Sequence, residues 1–232
     1  MPRNLPSYLK PSGVLAVLLL CATATLAGPP LICHAFAIGT AQSLPWTSHD
    51  WNLSGAENYD SSHLAADTQA ILRGNPTILV HMETLRRATL YARKDQRAAK
   101  ELFVKLFMAT KNTQPDRNAA ALAYFDAGYL AETYKQWLGA KDQNPAQGVD
   151  GYALIKQALS LTGGDPQMEF AAALVTLGGP EKDHSEHAQK ALAGAKSDSL
   201  LRENLASRFW GSEGEKLSDM IAKTTVAKQT KP

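Results

Sequence analysis

Cysteine is scarce: the 232 residues hold only Cys21 and Cys33. Cys21 falls within residues 14–27 (VLAVLLLCATATLA), an apolar run preceded by Arg3 and Lys10 and closed by Thr25-Leu26-Ala27 ahead of Gly28. That order of positive, apolar and small residues predicts a secretory signal peptide cleaved near Ala27. The run falls short of the ~20 apolar residues a membrane span needs, and Pro29-Pro30 stands just beyond it as a helix breaker. The expectation is therefore a secreted or periplasmic chain without a membrane span. Cleavage would leave Cys33 as the single thiol, which excludes an internal disulfide and leaves it buried, ligated or paired with another molecule. Neither cysteine follows the small residue of a lipoprotein cleavage site, which argues against a lipid anchor.

Net charge is lacking as well. The chain carries 24 Lys and Arg against 22 Asp and Glu, and two of the bases lie in the leader, so the mature protein is neutral. Neutrality argues against a dedicated nucleic-acid binder, whose affinity rests on neutralising phosphates. The balance conceals a segregation. Residues 38–72 contain no Lys or Arg, only Asp50, Glu57, Asp60 and Asp67, whereas residues 86–111 hold eight bases and two acids. Such runs are ordinarily solvated faces, here with the acidic segment packed near the basic helices, though a basic groove for an anionic ligand is the alternative.

Period-two alternation is missing throughout, which predicts no sheet. Residues 28–60 also lack a helical period and instead hold Pro45, Gly39, Gly55, Trp46 and Trp51. They read as an extended segment laid over the domain and pinned by Ile38, Leu44, Trp46, Trp51 and Leu53, because large aromatics bury much apolar area per residue. Residues 61–210 form a helical domain, and residues 211–232 a polar, Lys-rich tail. Ser61 or Ser62 is expected to cap the first helix, ending at Gly74. Pro76 is expected to open the second, with a stripe of Ile78, Met82, Leu85, Ala88 and Ala92. Asp95, Asp116, Asp150, Asp165 and either Ser197 or Asp198 mark later starts. The expected domain holds about eight helices, antiparallel neighbours packing as hairpins.

Gln157-Ala158-Leu159 and Lys190-Ala191-Leu192 lie 33 residues apart, as do Asp165 and Asp198. A two-helix period of that length, with the aromatic-x-x-small-Gly spacing of Tyr124, Ala127 and Gly128, resembles the tetratricopeptide repeats. The resemblance covers residues 86–209 and implies a right-handed array, or a bundle, with Gly128 where paired helices approach closely. The eleven residues 139–149 depart from the compact repeat. A second resemblance spans the mature chain. Cys33-His34, Ile38-Gly39, Ser43-Leu44-Pro45-Trp46, the run Met82-Glu83-Thr84-Leu85-Arg86-Arg87-Ala88, Asp126-Ala127-Gly128-Tyr129-Leu130 and Asp150-Gly151-Tyr152-Ala153-Leu154 are similar to a group of uncharacterised secreted bacterial proteins. It implies no activity.

Catalytic signatures are absent: there is no phosphate-binding Gly-rich loop, no G-x-S-x-G elbow and no C-x-x-C pair. The expected function is accordingly a binding or scaffold protein that takes a protein or peptide partner, without a cofactor. Arg86, Arg87, Lys100, Tyr124 and Tyr129 are the candidate groove residues, against the plainer reading of the tyrosines as core. The alternative is a metal-binding protein or metal-dependent enzyme holding a transition metal ion through Cys33, His34, His184 and His187. The last two stand i, i+3 on one helix face, although their surroundings are polar enough for a solvated helix start.

Overall fold

The computed structural model describes residues 29–47, 55–74, 77–112, 116–138, 144–177 and 179–208; the stretch expected to be a signal peptide, Asp50, Trp51, Leu53 and the Lys-rich tail lie outside them. Among the described residues the architecture is all-helical, with no strand. A 3-10 turn at Ser61–His63 leads into α1 (Leu64–Gly74), α2 (Ile78–Ala92), α3 (Gln96–Ala109) and α4 (Arg117–Trp137). The second half comprises α5 (Gly151–Thr162), α6 (Pro166–Val175), α7 (Glu181–Gly194) and α8 (Ser199–Arg208).

Aspartate starts most of these elements, because its carboxylate satisfies backbone N–H groups that the first turn leaves without partners. Asp95 accepts from the Ala98 N–H, Asp116 from Asn118 and Ala119, and Asp150 from Ala153. Asp165 accepts from Gln167 and Met168, and Asp198 from Leu201. One expected cap moves. Asp60, not a serine, caps the 3-10 turn, taking the Ser62 N–H. Helix α2 runs from Ile78 with Thr77 as its N-cap residue, and Pro76, expected to open it, lies outside the described residues.

Two antiparallel hairpins organise the second half. Along α4 and α5 the backbones touch: a Cβ at Gly128 would lie 2.6 Å from the Gly151 carbonyl oxygen, so only glycine fits. At the other end of this pair the Arg117 guanidinium donates to the Ser160 carbonyl at 3.1 Å. Along α6 and α7, Gly194 leaves room for the Pro166 ring, which a Cβ there would strike. The helix packing is that of a bundle or array.

Helix α2 lies at the centre, packed by α1, α3, α4 and α6. Residues 29–47 cross it as a strap. Leu31, Ile32, Phe36 and Leu44 are buried, while Ile38 and Trp46 pack against the core. The strap reaches α4 through Leu31 N–H to Gln136 Oε1 at 2.9 Å and α6 through an edge-on contact of Phe36 with Phe170. It reaches α8 through a two-way pair between the Ala37 backbone and the Asn204 side chain, both bonds 2.9 Å. Segments far apart in sequence are thereby tied to one another. Each fully buried side chain of this kind contributes ~1.5–3 kcal/mol, enough in aggregate to offset ordering the strap.

Candidate functional site

Three clusters carry the polar chemistry, and the first sits on α2. Glu83 is fully buried and accepts from four donors: the Phe36 N–H at 2.9 Å, Arg86 Nε at 2.8 Å and Nη2 at 3.0 Å, and Arg87 Nε at 2.7 Å. The guanidinium groups continue into the strap, Arg86 donating to the Ile32 carbonyl at 3.0 Å and Arg87 to the Leu44 carbonyl at 2.6 Å. The Trp46 ring lies 5.1 Å from the Arg86 guanidinium carbon and 5.9 Å from that of Arg87, within cation–π range. Ser43 and Thr84 hydroxyls meet at 3.0 Å, and the Tyr91 hydroxyl donates to the Pro45 carbonyl. On the opposite side, His81 Nδ1 meets Asp126 at 2.6 Å and Thr89 meets Thr133 at 2.8 Å, joining α2 to α4. Satisfying every such group is what allows a helix so polar to be buried.

The second cluster joins α5, α6 and α7. His187 is flanked by the Glu169 carboxylate at Nδ1 and by the Tyr152 hydroxyl, 2.8 Å away, at Nε2. Lys190 adds its ammonium to Glu169 at 3.1 Å. Burial pushes the Glu169 carboxyl upward, but the hydrogen bonds and charges of His187 and Lys190 outweigh it and hold the group below the usual carboxylate range. The Tyr152 hydroxyl is pushed up by burial and by the carboxylates of Asp183, Glu169, Glu186 and Asp150. The chain of hydroxyl, imidazole and carboxylate joins three helices. One turn earlier on α7, His184 donates from Nδ1 to the Ala173 carbonyl at 2.8 Å.

The third cluster is a surface. Arg97, Lys100, Val104 and Met108 follow helical spacing on one face of α3. Val104 is 47% and Met108 53% exposed, whereas Leu102, Phe103 and Leu106 on the other side are buried. Phe107 stacks on Phe103 at 5.7 Å, with the Lys111 ammonium 5.3 Å from its ring centre. Lys105 pairs with Glu101 at 2.7 Å.

The residues singled out for a groove separate on this scaffold. Arg86 and Tyr129 are interior, 2% and 0% exposed, and Arg87 is half-buried beneath Trp46, so none of the three lines an open groove. The cause for the arginines is the buried Glu83 beside them. Lys100 is exposed on α3 and Tyr124 half-buried on α4. Arg86 and Arg87 meet strap carbonyls, and Arg93 lies 4.6 Å over the Trp137 ring.

The candidate metal ligands are divided too. Cys33 and His34 lie half-buried in the strap. His184 and His187 are turned to different partners, and both ring nitrogens of His187 are engaged. Among the described residues no group of three or more His, Cys, Asp or Glu side chains is placed to hold a metal ion. Among them, too, no helix is long and apolar enough to cross a membrane. Sequence reasoning missed Glu83, Glu169 and Tyr152. The cue for Glu83 was its i+3 and i+4 arginines, a spacing that places all three on one helix face.

The chain matches no protein-family profile, no curated protein and no solved structure.

Proposed function

We propose that this chain is a secreted or periplasmic binding or scaffold protein that engages a protein partner through the outer face of α3. One observation carries the reading: Val104 and Met108, one turn apart on α3, stand exposed among basic side chains, whereas among the described residues the other large hydrophobics, Leu177 excepted, are at least partly buried. A contiguous exposed apolar group rimmed by charge marks an interaction surface. The polar clusters support the same reading, since Glu83, Arg86, Glu169 and His187 are committed to internal bonds. The tetratricopeptide-like array belongs to the proposal as well. It is supported by the helix-capping roles of Asp165 and Asp198, 33 residues apart, and by the Gly128 crossing.

The test is a photo-crosslinking amino acid placed at Val104 in the exported chain, with Gln157, exposed on α5, as the control position. The expected result is a protein adduct from position 104 and none from position 157. Absence of any adduct at position 104 would overturn the reading.

A further inference from the structure

We infer that the occupant of the α3 face is a second copy of this chain, presenting the corner between α6 and α7; this rests on the binding reading above. Among the described residues the large hydrophobic side chains standing well exposed are Val104, Met108 and Leu177, the last 47% exposed. The first two share a helix face with bases, and the third precedes an acidic helix start.

On the α3 side, Arg97, Lys100, Lys105 and Lys111 are exposed, and the one exposed acid, Glu101, is already paired with Lys105. At the corner, Leu177 precedes Glu181, Asp183 and Glu186, with Glu181 and Glu186 exposed. Asp150 caps the helix turn that carries Tyr152, and the Tyr152 hydroxyl meets His187 Nε2 at 2.8 Å, next to Glu186 in the chain, so Asp150 and Glu186 lie in one region. Its cations are committed: Lys156 lies 4.6 Å over the Tyr152 ring, Lys190 bonds Glu169, and Lys182 sits 3.9 Å from Glu186. Each patch thus combines an apolar residue with an excess of one sign of charge, and the two excesses are opposite.

Helix α3 packs on α1, α2 and α4, whereas α7 packs on α6 and α8. The patches sit on different sides of the assembly of helices, so their pairing is between copies. Such a contact is heterologous: α3 of one copy meets the corner of the next, which yields a ring or an open chain. Complementary charge steers encounter and register more than it adds affinity, so the association should be salt-sensitive.

Two charge-reversed variants test this by sedimentation of the full secreted chain. One is Arg97→Glu with Lys100→Glu; the other is Glu181→Lys with Glu186→Lys. The wild-type protein should associate at low salt and weaken roughly tenfold at high salt. Each variant alone should stay monomeric with an unchanged helical circular-dichroism spectrum. Their equimolar mixture should associate again, because each reversed face finds its new complement. A monomeric wild type, or a mixture that stays monomeric, overturns the inference. The mass of the Val104 photo-adduct separates this inference from the reading beneath it. Twice the chain mass supports both. An adduct with a different protein overturns only the second-copy occupant, as does a crosslink within one chain to residues 209–232. No adduct overturns both.

Discussion

Helices α2 and α3 are consecutive and nearly equal in length, 15 and 14 residues, and both mix charged with apolar side chains. They meet opposite fates. In α2, 14 residues are buried, Glu83 and Arg86 included; in α3 only five are, and its cations face solvent. Charge content therefore does not decide exposure. What decides it is whether the surrounding chain supplies partners. The strap brings the Phe36 N–H and the carbonyls of Ile32 and Leu44 to the polar side of α2, so its desolvated charges are bonded. No corresponding segment among the described residues crosses the outer face of α3, and that face keeps its bases in water.

The most severe way to break this contrast is Glu83→Ala. It would leave Arg86 buried without its carboxylate and the Phe36 N–H without its acceptor. Removing one partner of a buried pair typically costs ~3–5 kcal/mol, and urea denaturation should show a loss of that size. Amide exchange in residues 31–44 should rise with it.

Next in size is Glu169→Gln, read against pH. The folded-state carboxyl lies below its ordinary value, so its contribution is present above about pH 4.3 and lost as pH falls through the depressed folded value. Wild-type stability should therefore decline on that acid limb, and the variant should lose less there. At neutral pH the variant should be weaker by roughly 1.5–3 kcal/mol, the usual worth of hydrogen bonds to a charged group. Thermal melts from pH 2 to pH 7 of both proteins measure the two effects together.

Trp46→Ala should cost less, about 1–2 kcal/mol, because the ring is only half-buried although it covers two guanidinium groups and packs edge-on against Tyr91. Its melting temperature should fall while helical content is kept. The smallest effect belongs to α3. Val104→Glu should change stability by under about 0.5 kcal/mol, as surface substitutions do, yet abolish the proposed association. A large destabilisation would mean that α3 is as enclosed as α2, and the comparison would fail.

Much of the helical framework was legible in the sequence. Asp95, Asp116, Asp150, Asp165 and Asp198 cap helices where local chemistry places them, since an aspartate bonds N–H groups two or three residues ahead whatever the tertiary surroundings. Gly128 could be read as a close crossing because only a missing side chain allows it. The anchors Leu44 and Trp46 were legible from apolar density, whereas Leu31, Ile32 and Phe36 were not singled out. The α2 stripe from Ile78 to Ala92 was visible, but it described one side of a helix that is buried all round.

The site residues divide along the same line. His184 and His187 look equivalent at i, i+3, yet one bonds the Ala173 carbonyl and the other sits between Tyr152 and Glu169. Nothing in the α7 sequence announces those partners, which come from α5 and α6. Sequence alone determined where helices begin, because capping, glycine crossings and apolar periodicity act within a few residues. The tertiary structure alone decided which charges are buried. Desolvation is tolerated only where distant backbone and side-chain groups arrive to satisfy it, and strap and α7 cluster are assembled from residues far apart in the chain.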